Sequence, residues 1–196
     1  SWLQLRINGT FNVVGDFITE NKSVTSASGA SAFISIGANS SAAIVNIGGN
    51  MIVGDADATD AAKKVCFVAG ALRSNEFDYS KPDVDVGGII NMVAGTGTMS
   101  GKNPNLYVVY RTDKTDTSIP SAVTCVVSSK GITGNGSITN NSSASLTKGV
   151  STAILHLKNE STYTFSGWVA DGTNAVTKIV MDGTGTQRFS SGNASS

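Results

Sequence analysis

Three carboxylates fall within six residues in Gly54-Asp55-Ala56-Asp57-Ala58-Thr59-Asp60. Hard cations prefer oxygen ligands, so Asp55, Asp57 and Asp60 are candidate Ca2+ ligands. Their Asp-x-Asp-x-x-Asp spacing is not that of an EF-hand, whose Gly and terminal bidentate Glu are missing. The other reading of the segment is a solvated loop at a bend of the chain. A second acidic pair, Asp83 and Asp85, alternates around Val84. On a strand the pair would share one face, with side chains roughly 7 Å apart. Paired acids on an outer sheet face are candidates for binding or cleaving carbohydrate, although a catalytic site needs more than two acids.

His156 is the single histidine. Period two in Leu155-His156-Leu157 places it opposite the two leucines, on the outer face. No G-x-S-x-G nucleophile elbow accompanies it, and no catalytic residue is assigned. Cys66 and Cys125 both have apolar neighbours. They fall in different classes of strand and on different turns of the repeat described below. A disulfide needs Cα atoms within about 7 Å, so two free, buried thiols are expected, each behaving as a small apolar side chain. Tyr79, Tyr107, Tyr110 and Trp168 offer faces on which sugars stack, or else fill coil ends and outer faces. Asn-x-Ser/Thr triplets begin at Asn8, Asn21, Asn39, Asn135, Asn140, Asn141, Asn159 and Asn193. Most are what chance produces in a chain so rich in Asn, Ser and Thr.

These residues must be positioned by a chain of 196 residues with 14 basic and 14 acidic side chains. A net charge of zero without a basic cluster excludes the cationic surface a nucleic-acid binder uses to displace counterions. No apolar run approaches the roughly 18 residues of a membrane-spanning helix. The 40% apolar content supports a packed core, so the chain is not a disordered linker. The opening Ser1-Trp2-Leu3-Gln4-Leu5 is already strand-like, as in a processed product or a cut-out segment.

Apolar residues alternate in short runs: Leu3-x-Leu5-x-Ile7, Ile34-x-Ile36, Val84-x-Val86, Leu155-x-Leu157 and Tyr163-x-Phe165. That period predicts strands with one face inward. The best helical stretch, Asp60 to Val68, predicts one turn at most. Three segments repeat an apolar, Asn/Asp, Val/Ile, x, Gly pattern: Phe11 to Ile18, Val45 to Ile52 and Val84 to Asn91, at offsets of 34 and then 39. A further 39 residues lands on Val123 to Val127, which predicts one column of Val13, Ile47, Val86 and Cys125. A second strand class precedes several copies, in Ala32 to Ile36, Val65 to Val68 and Leu106 to Tyr110. Polar loops of variable length separate the classes: Thr19 to Ser31, Arg73 to Pro82 and Arg111 to Pro120. Constant strands and variable loops are the signature of stacked coils, none of which buries its own apolar face. The prediction is a single all-β domain, residues 1–196, folded as a right-handed parallel β-helix (a β-solenoid). An antiparallel β-sandwich is the alternative.

Near the C-terminus, Phe165-Ser166-Gly167, Asp171-Gly172, Gly183-Thr184-Gly185-Thr186 and Phe189-Ser190-x-Gly192-Asn193 occur in that order. Residues 161–193 thereby resemble the autotransporter-associated β-strand repeat of bacterial passenger proteins. Trp168 stands where that repeat has an aliphatic residue. The resemblance implies a right-handed β-helix that is secreted or displayed on the outer cell surface. It implies a structural passenger linked to export and folding, without catalytic residues to carry over. Gly185 and Gly192 are expected to make tight bends with φ > 0, and Thr and Asn on successive coils are expected to form hydrogen-bonded ladders.

The sequence therefore predicts a non-enzymatic structural segment, a stalk or passenger serving display or adhesion. The alternatives are a self-assembling extracellular fibre subunit that stacks through open solenoid ends, and a carbohydrate-binding or carbohydrate-cleaving β-helix. The expected partners are further copies of itself and host or matrix glycans, with no nucleic acid, no membrane insertion by this segment and no cofactor other than the candidate Ca2+.

Overall fold

Alternating apolar residues form strands because successive side chains point to opposite faces. The computed structural model describes residues 3–7, 9–20, 32–36, 44–56, 65–69, 83–95, 104–111, 124–142, 151–172 and 175–190. Its strands lie in three six-stranded sheets. The first contains β1 (Leu3–Ile7), β4 (Ala32–Ile36), β7 (Val65–Ala69), β10 (Asn105–Arg111), β13 (Ser137–Ser142) and β16 (Trp168–Asp171). The second contains β2 (Thr10–Val13), β5 (Ile44–Ile47), β8 (Asp83–Val86), β11 (Thr124–Ser129), β14 (Ser151–Leu157) and β17 (Ala175–Met181). The third contains β3 (Phe17–Thr19), β6 (Met51–Gly54), β9 (Ile90–Val93), β12 (Ile132–Gly134), β15 (Thr162–Phe165) and β18 (Thr186–Phe189). The chain visits the sheets in turn, and every third strand returns to the same sheet. Three consecutive strands make a coil, and six coils stack. The inter-coil pairing is parallel, as in β2–β5, β5–β8, β8–β11, β11–β14 and β14–β17. This is a parallel β-helix and not the antiparallel sandwich. No helix among the described residues is long and apolar enough to cross a membrane.

The interior is built from columns. In the second sheet Phe11, Val45, Val84, Val127, Leu155 and Ile179 stand in register. Val45, Val84, Val127 and Leu155 are buried. In the third sheet Thr19, Val53, Met92, Gly134, Phe165 and Phe189 align. In the first, Leu106 and Ile138 pair and are buried. Burying one such aliphatic side chain contributes about 1.5–3 kcal/mol, so the stack of coils supplies a core that one coil lacks.

The predicted column of Val13, Ile47 and Val86 is present. Its predicted fourth member, Cys125, is not in it. Val127 faces Val84 and Ser128 faces Asp85, so the residue that follows Val86 in the column is Ser129. The coil offset in this sheet runs 34 (Phe11 to Val45), 39 (Val45 to Val84), 43 (Val84 to Val127), 28 (Val127 to Leu155) and 24 (Leu155 to Ile179). Extending a constant 39 fails because the polar segments between strands set the offset, and they carry no period. Cys125 instead heads a column of small side chains with Ala153 and Thr177. The segment considered for a helical turn ends in strand: Val65 to Val68 belong to β7, and residues 57–64 lie outside the described residues. Of the three variable loops, Thr19 belongs to β3 and Arg111 to β10, and most of the rest is outside the described residues.

The corner between the second and third sheets repeats from coil to coil. Gly49 N–H donates to Gly15 O at 2.9 Å and Gly88 N–H to Gly49 O at 2.8 Å. Beside them Asp16 Oδ1 accepts from Asn50 N–H at 2.7 Å, and Asn50 Oδ1 from Ile89 N–H at 3.0 Å. A Cβ on Gly49 would collide with Asp16, and one on Gly88 with Asn50. Small residues and side-chain acceptors thus let each corner sit directly on the last. Gly185 does not take the expected left-handed conformation; Gly54 (φ 112°) and Gly134 (φ 85°) do. Gly185 matters for close approach, since a Cβ there would meet the Ser161 carbonyl oxygen. Gly192 lies outside the described residues.

Gly134 combines a positive φ with a backbone so close that a Cβ would overlap the Met92 carbonyl oxygen. Gly134→Ala is expected to cost at least about 2 kcal/mol, the left-handed penalty plus displacement of β12 from β9. A fall in the urea midpoint at unchanged slope would report it.

Candidate functional site

Residues that could do chemistry are distributed by this geometry over separate faces. Asp55 follows β6 at the end of the third sheet and is buried at 6% exposure. Asp57 and Asp60 lie outside the described residues. Of the candidate calcium triplet the structure therefore places one member. Among the described residues, no group of three or more His, Cys, Asp or Glu side chains is arranged to hold a metal ion.

Asp83 and Asp85 lie on β8 with both side chains exposed, on either side of the buried Val84. They share the outer face of the second sheet, as their spacing predicted. Their register neighbours are Ile44 and Asn46 on one side and Val126 and Ser128 on the other. None of these is aromatic, so no stacking platform flanks the pair within its sheet. Asp85 has a partner that lies 73 residues away: Lys158 Nζ is 3.3 Å from its Oδ1. Lys158 follows β14, two coils on.

That contact belongs to a charged ridge along the corner between the second and third sheets. Lys130 Nζ lies 3.5 Å from Glu160 Oε2, and His156 Nε2 lies 3.2 Å from Asp182 Oδ2. Each pair links two coils. Exposed pairs of this kind are each worth about 0–1 kcal/mol, so the ridge tunes the alignment of coils rather than holding them together.

His156 is half-buried and alternates with Leu155 and Leu157, which are fully buried. Its outer-face placement is as expected. On that face it follows Ser128 in register, and with Asp182 the row contains the residue types of a hydrolytic triad. The surroundings do not complete one. β11 and β14 are interior strands paired on both sides, which uses the backbone N–H groups an oxyanion would need. No hydrogen bond joins Ser128 to His156 among the described contacts.

Cys125 is free and buried. Burial pushes its thiol well above the ordinary thiol range, and the nearby charge of Asp83 acts in the same direction. It is chemically quiet, as a low-pKa nucleophile is not. Cys66 stands in the first sheet between Phe33 and Asn105, so the two cysteines occupy different sheets and different coils, as the repeat implied. The side chains of Cys66, Tyr107 and Tyr110 lie outside the described residues, as does Tyr79. Trp168 is 62% exposed on β16.

Several polar residues take interior roles that the sequence reading did not assign them. Asn140 and Asn159 are fully buried, which removes both from the candidate glycosylation sites in the folded chain. Asn140 Nδ2 donates to Val176 O at 3.0 Å and ties β13 to the next coil. Ser129 Oγ donates to Gly131 O at 3.1 Å. Gln187 Oε1 accepts from Ile132 N–H at 3.0 Å, and its Nε2 donates to Ile132 O at 2.9 Å. One signal could have found Gln187: two residues before Phe189, it occupies an inward phase of its strand. Ladders of the expected kind are also present, with Asn46 Nδ2 donating to Asn12 Oδ1 at 2.8 Å and Thr133 Oγ1 to Asn91 Oδ1 at 3.1 Å.

The raised thiol gives a signed pH dependence. Below about pH 8.5 the Cys125 thiol is protonated in both folded and unfolded chains. Above it the unfolded thiol ionises while the folded one stays neutral, so stability falls by up to about 1.4 kcal/mol per pH unit. Urea titrations between pH 7 and 10 are expected to show this fall in the native chain and a smaller one in Cys125→Ala. Equal slopes in the two would refute it.

No family model matches the chain, and neither a curated protein nor a solved structure matches it.

Proposed function

We propose that this chain is a structural segment of a secreted or surface-displayed bacterial protein, a stalk or passenger that displays other regions or contributes an adhesive surface. The observation that carries this reading is the stacking of six coils around a shared apolar core. Stacked, mutually hydrogen-bonded coils resist bending and hold loops at fixed spacing along an axis. The outer rows support the same reading. They mix polar and apolar residues with charges paired from coil to coil, and the chain has zero net charge overall. Such a surface meets other chains or matrix glycans without long-range repulsion. The resemblance of residues 161–193 to a passenger repeat supports an extracellular setting.

A second reading, a fibre subunit that stacks on further copies of itself, is favoured by one observation. Trp168, Val176, Ile179, Val180, Met181 and Phe189 are all exposed, and all lie on coil six. Ile179 and Phe189 continue interior columns, so a coil laid on that face would bury them.

Electron microscopy of native material, released from cells without denaturation, separates the two. Isolated rods are the expected outcome, each coil adding about 4.8 Å. Long filaments with a regular subunit repeat would overturn the stalk reading in favour of the fibre. The carbohydrate-active alternative has its own check. Asp83→Asn with Asp85→Asn is expected to leave binding to a glycan array unchanged, and loss of a specific glycan signal would revive that alternative.

A further inference from the structure

We propose that Gln187 clamps the third-sheet junction between coils four and five, so that β15 and β18 dock on β12 as one cooperative unit. The argument starts from the corner between the second and third sheets. In coils one to three, three residues separate the strands: 14–16, 48–50 and 87–89. In coil four there are two, 130–131, and in coils five and six there are four, 158–161 and 182–185. Where neighbouring corners match, the strands that follow pair along their length. β3 pairs with β6 from Phe17 to Thr19, β6 with β9 from Met51 to Gly54, and β15 with β18 from Thr162 to Phe165. At the step from two residues to four, β12 and β15 retain a single register pair, Gly134 with Phe165.

That step leaves Ile132 without a strand partner on its coil-five side. Its N–H and C=O would be left unsatisfied in the interior, where Ile132 is fully buried. Gln187, on β18 of coil six, supplies the missing couple. Its side-chain carbonyl accepts from Ile132 N–H, and its amide donates to Ile132 O. A primary amide presents the same acceptor and donor as a peptide group, so the side chain stands in for a strand. The Gln187 amide also lies 3.5 Å from Tyr163 O, and Asn159 Nδ2 lies 3.4 Å from Gln187 Oε1. The clamp therefore touches both coil-five elements that border the step.

The energetic consequence concerns the order of opening. In a uniform solenoid each coil contacts only its neighbours, and end coils fray one at a time. Here the pairing that seats the third-sheet strand of coil five on coil four is supplied partly by coil six. Opening coil six removes the clamp, and with it much of what holds β15 to β12. Coil five stays seated on coil four through β10–β13 and β11–β14, so it is the third-sheet strands β15 and β18 that should open together.

Residue-resolved hydrogen exchange on the whole chain tests this. In the native sequence the amides of Ile132, β15 and β18 are expected to share one opening equilibrium. If β18 exchanges much faster than β15 and Ile132, coil six frays alone and the proposal fails, whether or not any variant folds. Gln187→Ala is expected to speed exchange at Ile132 about tenfold or more, from the loss of one to two hydrogen bonds. Gln187→Glu keeps the acceptor and loses the donor, so its effect should be intermediate. Arg188→Ala, at the exposed neighbouring position, should leave Ile132 unchanged. Unchanged Ile132 exchange in folded Gln187→Ala, or an equal change in Arg188→Ala, would overturn the clamp.

Discussion

A strand in this molecule has no partner within its own coil. Its backbone N–H and C=O groups point along the solenoid axis, and its apolar side chains point into a space that one coil cannot fill. Both needs are met by the same neighbour, the corresponding strand one coil away. In-register parallel pairing therefore satisfies the backbone and builds the core in a single step. Most other features are conditions for keeping that register. Glycines at the second-to-third corner let carbonyls approach, Asp16 and Asn50 accept the corner N–H groups, and the Asn12–Asn46 ladder repeats on the outer face.

Register is also where the chain departs from uniformity. Coil lengths vary, and the polar segments between strands absorb most of the variation without disturbing the sheets. Changes inside a tight corner are absorbed unevenly: the step from three residues to two leaves all of β12 paired with β9, whereas the step from two to four leaves β12 and β15 one register pair. The structure answers with a half-buried side-chain amide at Gln187. Its place in the inward phase of β18 marks where two coil geometries meet.

Much of the fold could be read from residue order. Alternation at Leu155-His156-Leu157 and at Asp83-Val84-Asp85 predicted which side chains face out, and they do. The repeat at Phe11, Val45 and Val84 predicted the stacking of three coils with their register correct. It failed at the fourth coil, where Ser129 took the place expected for Cys125. The sites were less legible. Asp85 meets Lys158, and His156 meets Asp182, across distances in sequence that depend on unpatterned loops. Asn140 and Asn159 begin two of the Asn-x-Ser/Thr triplets, and only the fold shows that both are buried.

The sequence by itself determined the strand period, the inward phase of the clearly alternating strands and the all-β, stacked character of the chain. These follow from local alternation, since a side chain's face depends only on its parity along the strand. Only the tertiary structure decided the register between distant coils, the charge pairs along the corner ridge and the clamp from Gln187 to Ile132. Those depend on how many residues each loop and corner uses to return to the same sheet. No local pattern encodes that number, because it is settled by which pairing satisfies the most backbone groups and buries the most apolar surface at once.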